Sequence, residues 1–252
     1  MLKASLVGFY NLNEPGPWEI IKKISNWGYK ALEHGGFMLK GDVKENVKKL
    51  SDLDFAVLTL SADVEGLKND LGKAIANAHE IGVQYITCYW SDAQDYAQAA
   101  EIAAILDKAG ENLRREGLRL CYHNHDHEFK KSFNGVKFFD ILLAETSPEN
   151  VYLNIDLGWA TLGEGPDNVP ALIERVKDRI KLTHFKDFYD LNDRNSFTAL
   201  GTGKVRVRDF LDGIAKTSVE YVTVEQDTLR NLNADDAVLA SYFTLKESGS
   251  VM

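Results

Sequence analysis

Residues 151–159 read VYLNIDLGW. Val151, Leu153, Ile155 and Leu157 alternate with Tyr152, Asn154 and Asp156, the period-two pattern of a strand whose successive side chains point to opposite faces. The apolar set belongs against covering helices, which turns Asp156 toward the other face, at the C-terminal end of the strand. Similar runs lie on both sides: LRLCYHNH (118–125) before it, and IKLTHFKD (180–187) and YVTVEQD (221–227) after it. Four more precede these, KASLVGFY (3–10), YKALEHG (29–35), FAVLTLSA (55–62) and VQYITCYW (83–90).

Helical apolar spacing fills the gaps, as in PWEIIKKISNWG (17–28), LKNDLGKAIANAHEIG (67–82) and NVPALIERVKDR (168–179). Gly28, Gly82 and Gly117 stand where left-handed C-caps are expected. Strand and helix thus alternate eight times, which predicts a parallel sheet, and eight units match a closed (β/α)8 TIM barrel filling residues 1–252 as a single domain. A doubly wound open sheet fits less well, because no glycine-rich phosphate loop follows the first strand.

The 252 residues are 44% apolar and 27% charged, an ordinary globular balance with enough chain for a sizeable core. A formal charge of −9 argues against nucleic acid as a partner, since phosphate contacts rely on clustered Lys and Arg. Cys88 and Cys121 sit inside strand-like runs and read as buried thiols in a reducing compartment. No leader-like N-terminus and no apolar run of the ~18 residues needed for a membrane span are present, so a cytoplasmic location away from membranes is expected.

Alternation also sorts the polar groups. Thr223, Glu225 and Asp227 oppose Val222 and Val224; Cys121, His123 and His125 oppose Leu118, Leu120 and Tyr122; Ile180, Leu182, His184 and Lys186 share one face. Four consecutive strands therefore deliver His123 and His125, Asp156, His184 and Lys186, and Glu225 to the C-terminal rim, where barrels of this type carry their active sites. His123, Asp156, His184 and Glu225 form a reasonable ligand set for one divalent metal ion. Imidazole with carboxylate suits Mn, Co, Fe or Zn, with Mg disfavoured. Such an ion acts as a Lewis acid beside a carbonyl whose neighbouring C–H is deprotonated.

YHNHDHEF, NIDLGW, THFKD, ALGTGKVRVRDF and VEQD, in that order along the chain, resemble the motifs of the sugar phosphate isomerase/epimerase family, the xylose isomerase-like TIM barrels related to inosose dehydratases and to AP endonuclease family 2. The resemblance runs nearly the length of the chain. It implies one metal ligand from each of the last four strands, carried here by His123, Asp156, His184 and Glu225. His123 stands where many epimerases have Glu, which departs from their two-glutamate proton exchange. Dehydratase relatives carry Glu-x-His on the fifth strand; the triplet His123-Asn124-His125 makes His125 the expected base, with an imidazole pKa near ~6.5. Lys186 would polarise the substrate oxygen, Glu225 would serve catalysis as well as the metal, and Glu33 and Trp90 would line the sugar pocket.

The resemblance implies a metal-dependent isomerase or epimerase acting α to a carbonyl of a small-molecule sugar or keto-sugar. Dehydration of a keto-inositol or 3-keto-sugar is the alternative by the same enolate. A DNA repair enzyme would need a larger His and acidic ligand set, and a non-catalytic sugar-binding barrel would need none. Relatives often form homo-oligomers, and no sequence feature decides this. Other polar residues have plainer readings: His127 as a solvated loop residue, His34 as packing at a strand end, His79 on a helix surface, Lys186-Asp187 as a rim ion pair. The segment LGTGK (200–204), with its two glycines, offers backbone N–H groups to a phosphate.

Overall fold

The computed structural model describes residues 1–14 and 16–251. Strands run over Lys3–Val7, Ala31–Leu32, Ala56–Val57, Thr59–Ala62, Tyr85–Cys88, Arg119–His123, Val151–Asp156, Ile180–Phe185 and Tyr221–Glu225. These nine segments pair in parallel in one sheet, whose two end members are Ala56–Val57 and Thr59–Ala62. Both belong to the run FAVLTLSA, split at Leu58. The first half pairs with Ala31–Leu32 and the second with Tyr85–Cys88, so the sheet meets itself within one strand and the eight units close into a TIM barrel. Eleven α-helices among the described residues alternate with the strands.

The closure sorts side chains into two sets. Ala4, Leu6, Leu120, Tyr122, Leu153, Ile155, Val222 and Val224 pack against the helices in the main core. Inside the barrel, Ala31, Leu58, Cys121 and Leu182 form a separate apolar layer flanked by Tyr85, Tyr152 and Tyr221. Arg119 stacks over Tyr85 and Tyr152 below it, and Lys3 over Tyr221. The interior is therefore plugged toward the N-terminal face, as in a packed barrel rather than a pore, and its polar side chains collect at the other end. Cys88 and Cys121 are both free and buried.

Gly28 and Gly82 end their helices with φ of 114° and 84°, and Gly117 has φ 74° just beyond Glu116, as expected of left-handed caps. Two expectations change. The helix read from Leu67 to Gly82 is two, Val64–Asn69 and Leu71–Ile81, with Asp70 between them. Ile180 does not share the face of Leu182: the register shifts between them, so Ile180 joins the helix-side core while Leu182 turns into the barrel. The bulge inserts one residue and so reverses the alternation below it. Among the described residues, no helix is long and apolar enough to cross a membrane.

Candidate metal centre

Glu33, just past the second strand, is 1% exposed. One carboxylate oxygen accepts from Thr223 Oγ1 at 2.8 Å and lies 3.1 Å from His184 Nε2. The other accepts from Tyr89 Oη at 2.5 Å and Asn154 Nδ2 at 2.8 Å. The residue expected to line a sugar pocket therefore has both oxygens occupied by the protein, at the floor of a cleft of about 170 Å³ that Glu225 and His34 also line. Every partner comes from an inward position of another strand or its extension.

His184 lies above this carboxylate, fully buried, with Nδ1 2.6 Å from Glu225 Oε2. Burial works against a charged imidazole, but Glu33 and Glu225 outweigh it and raise the His184 pKa to about 10. Asp156 caps the following helix, Oδ1 accepting from Trp159 N at 2.7 Å, which fixes the carboxylate and leaves Oδ2 without a hydrogen bond. That free oxygen lies 3.9 Å from His123 Nε2. Burial pushes Asp156 up to about 7, against the pull of Lys186. One donor atom each from His123, Asp156, His184 and Glu225 lies within 4.8 Å of the other three. The four residues that the sequence nominated as ligands thus converge on one point.

The donor set fits a divalent ion. Four carboxylates, Glu33, Asp156, Glu225 and Asp227, stand around two cationic groups, Lys186 and His184. Among the described residues, Asp156 Oδ2 and His123 Nδ1 are buried with no hydrogen-bond partner, Asp156 Oδ2 having only the Lys186 ammonium at 3.5 Å, a costly state for polar atoms unless something else engages them. His184 has the carboxylate–histidine support typical of metal-binding imidazoles, with Glu33 behind one ring nitrogen.

Lys186, 1% exposed, does not pair with Asp187. Its ammonium lies 2.8 Å from Asp227, 2.9 Å from Glu225 and 3.5 Å from Asp156, and 4.7 Å above the Trp159 ring. Burial favours the neutral amine, but Glu225, Asp156 and Asp227 reverse this and hold the pKa above its ordinary value. Glu225 is also driven up by burial, yet Lys186 and His184 keep it well below the usual carboxylate range.

The fifth strand stops at His123, so His125 projects from the loop beyond it, its ring 5.0 Å from that of His123. Its pKa is not near the free-imidazole value: burial first, then the Lys186 charge, push it down to about 3. The ring is therefore neutral at physiological pH, with Nδ1 unpartnered. Trp90, 51% exposed, packs its indole 4.8 Å from His125 and 4.6 Å from His127. Trp159 adds a buried indole N–H with no acceptor, which sequence reasoning overlooked. Asn154, Thr223 and Asp227 do stand at inward positions of the alternating pattern, and Tyr89 follows Thr87 by two residues.

Three further expectations are corrected. His127 is not solvated: its Nε2 contacts the Ser91 carbonyl at 2.9 Å and its ring packs on Trp90. His34 is turned by a left-handed backbone, φ 59°, so its ring stacks 4.1 Å from Tyr89 and lines the cleft beside Glu225. In LGTGK the N–H groups are already taken. Asp187 Oδ2 accepts from Gly201 N and Gly203 N, and Oδ1 from Val205 N, each at 2.9 Å. The anion in this loop is the chain's own carboxylate. His79 is on a helix surface, as read from the sequence.

Comparison with solved structures finds the same fold in several other barrels. A sugar phosphate isomerase/epimerase from Parabacteroides distasonis superposes with a TM-score of 0.84 at 17% identity, all of both chains being covered. An L-ribulose 3-epimerase gives 0.75 at 15%, covering 98% of this chain and 94% of that one. The IolI protein with a bound zinc atom gives 0.76 at 12%, covering 99% and 98%. At these identities the likeness is one of fold. No curated protein sequence matches the chain. The profile of the xylose isomerase-like TIM barrels matches residues 21–241, most of the 252, and the chain belongs to that family.

Proposed function

We propose that the protein is a divalent-metal-dependent enzyme that removes a proton α to the carbonyl of a sugar or keto-sugar, with isomerisation or epimerisation as the outcome. The convergence of His123, Asp156, His184 and Glu225 carries this reading. Two imidazoles and two carboxylates suit Mn, Co, Fe or Zn better than Mg. When bound, the ion supplies Lewis acidity toward substrate oxygens.

The remaining steps fall to the chain. Glu33 holds His184 in orientation through Nε2, Asp156 is aimed by its helix cap, and Glu225 ties the metal ligands to Lys186. His125, with an unpartnered ring nitrogen and its ring 5.0 Å from that of His123, accepts the substrate proton; its lowered pKa makes it a weaker base than a free imidazole, so position rather than basicity supports the role. Lys186 places a fixed positive charge beside the developing enolate oxygen. Trp90 forms the outer wall, and the Trp159 indole N–H offers a donor to a sugar hydroxyl.

Dehydration is the second reading, favoured by one feature of the chain: His123, at the end of the fifth strand, stands where a two-carboxylate epimerase has Glu, and His125 follows it two residues on. Product mass separates the two, since dehydration removes one water. The test is solvent deuterium exchange into a panel of keto-sugars by metal-loaded protein. Exchange should appear at the carbon next to the carbonyl and fall at least ~100-fold in His125→Ala, in line with the usual worth of a general base. Sugar binding that survives both His125→Ala and metal removal, with no exchange, would make this a binding barrel instead.

A further inference from the structure

His127 and Glu128 take no part in the scheme above, yet they are built with care. The Ser91 carbonyl 2.9 Å from His127 Nε2 can only accept, so Nε2 carries the proton and Nδ1 carries the lone pair. Nδ1 is buried with no hydrogen-bond partner and stands 3.3 Å from Glu128 Oε2. Two lone-pair-bearing atoms at that spacing repel each other unless a cation or a proton lies between them. Donors about 2.0–2.2 Å from one tetrahedral ion are separated by about that distance.

Glu128 is fully buried, and among the described residues no Lys or Arg pairs with it. The nearby cations are committed elsewhere, Lys130 and Arg194 to Asp126 and Lys131 to Asp92. Its oxygens accept only from Tyr122 Oη and His125 N, both at 2.8 Å, leaving further lone pairs. A third donor comes from His125, whose Nδ1 is also unpartnered. One donor atom from each of His125, His127 and Glu128 lies within 4.8 Å of the other two. Trp90 covers both rings from the solvent side.

We propose that His125, His127 and Glu128 form a second divalent-cation site, adjoining the first but sharing no ligand with it, and that its occupation withdraws His125 from proton transfer. A borderline-soft ion such as Zn²⁺ or Co²⁺ matches two imidazoles and one carboxylate. The Ser91 carbonyl serves His127 as the outer partner that fixes a ligating tautomer. The inhibitory consequence rests on His125 being the proton acceptor; the binding site does not. Metal would then activate at low concentration and inhibit at high concentration.

The test is a calorimetric titration of chelator-treated full-length protein with Zn²⁺, for wild type, His123→Ala, His127→Ala and His127→Phe. The phenylalanine variant keeps a ring against Trp90 while removing the donor atoms, and circular dichroism checks each fold. Two equivalents in wild type, one in either His127 variant and one in His123→Ala are expected. With an active keto-sugar in hand, excess Zn²⁺ should inhibit wild type at least tenfold and leave the His127 variants uninhibited. One equivalent in wild type that the His127 variants retain would overturn the second site, and so would two equivalents in all of them. That outcome leaves a proton on Glu128, shared with His127, as the explanation. A single equivalent lost in the His127 variants but kept in His123→Ala would uphold this site and sink the proposed catalytic centre.

Discussion

Asp187→Asn should destabilise the protein although it changes one atom. The carboxylate is 1% exposed and accepts four backbone N–H groups, from Phe188, Gly201, Gly203 and Val205. An amide keeps one oxygen for two of these donors and turns its NH₂ against the other two. Losing two charge-assisted hydrogen bonds at about 1.5–3 kcal/mol each gives roughly 3–6 kcal/mol. Relief from burying a charge returns part of it, since burial raises the Asp187 pKa despite the four donors. A net loss of about 3 kcal/mol corresponds to a fall in Tm of roughly 6–12 °C for a chain of this size. Scanning calorimetry measures this, and limited proteolysis should show new cleavage within residues 199–206. A Tm within about 2 °C of wild type, with unchanged proteolysis, would refute the claim that this carboxylate organises the loop. Gly203→Ala offers an independent check, because a Cβ there would collide with Asp187 and the Phe188 carbonyl.

The neutral His125 ring should cost the metal-free protein stability from about pH 6.5 downward. His125 is held at about 3 in the folded chain, so below the free-imidazole value near ~6.5 the unfolded chain binds a proton that the folded chain refuses. At pH 5 this costs about 2 kcal/mol from His125 alone, and His123, also shifted well below its ordinary value by burial, acts in the same direction. His184, raised to about 10, and Asp156, raised to about 7, act in the opposite direction, because each holds in the folded chain a proton that the unfolded chain takes up only at lower pH, so the His125 contribution is read as a difference from a variant that lacks it. In urea unfolding, the change in stability from pH 7.5 to pH 5 should be about 2 kcal/mol less favourable in wild type than in His125→Gln; the same change in both would count against the buried neutral ring. Glu33→Gln should lower affinity for the first metal by about 10–100-fold through loss of support to His184, measured by competition with a chelator. Equal affinity would mean that His184 needs no outer partner.

The alternation in VYLNIDLGW, YVTVEQD and LRLCYHNH carried Asp156, Glu225 and His123 to the inside of the barrel, and eight such runs carried the fold. Period-two pattern and strand order are local properties, so they are written plainly in the chain. What escaped depends on closure. Glu33 meets His184, Asn154, Tyr89 and Thr223 only when the second strand is brought across the barrel from the sixth and seventh. Ile180 was misassigned because a bulge leaves no mark in an apolar alternation. His34 escaped because a left-handed non-glycine residue reverses the direction that strand spacing implies. Gly201 and Gly203 were legible as a tight loop, but not the anion they bind, which lies 14 and 16 residues earlier. The acidity of His125 is set by burial and by Lys186, and neither is encoded near it.

The most direct test of the account is the affinity of the first metal equivalent, measured at limiting Mn²⁺, Co²⁺ or Zn²⁺ in chelator-treated wild type, His123→Ala and Asp156→Asn. The account predicts one tight equivalent in wild type, bound at least ~100-fold more weakly in both variants. Folded wild type that takes up none of these ions, or variants that bind the first equivalent as tightly as wild type, would contradict it.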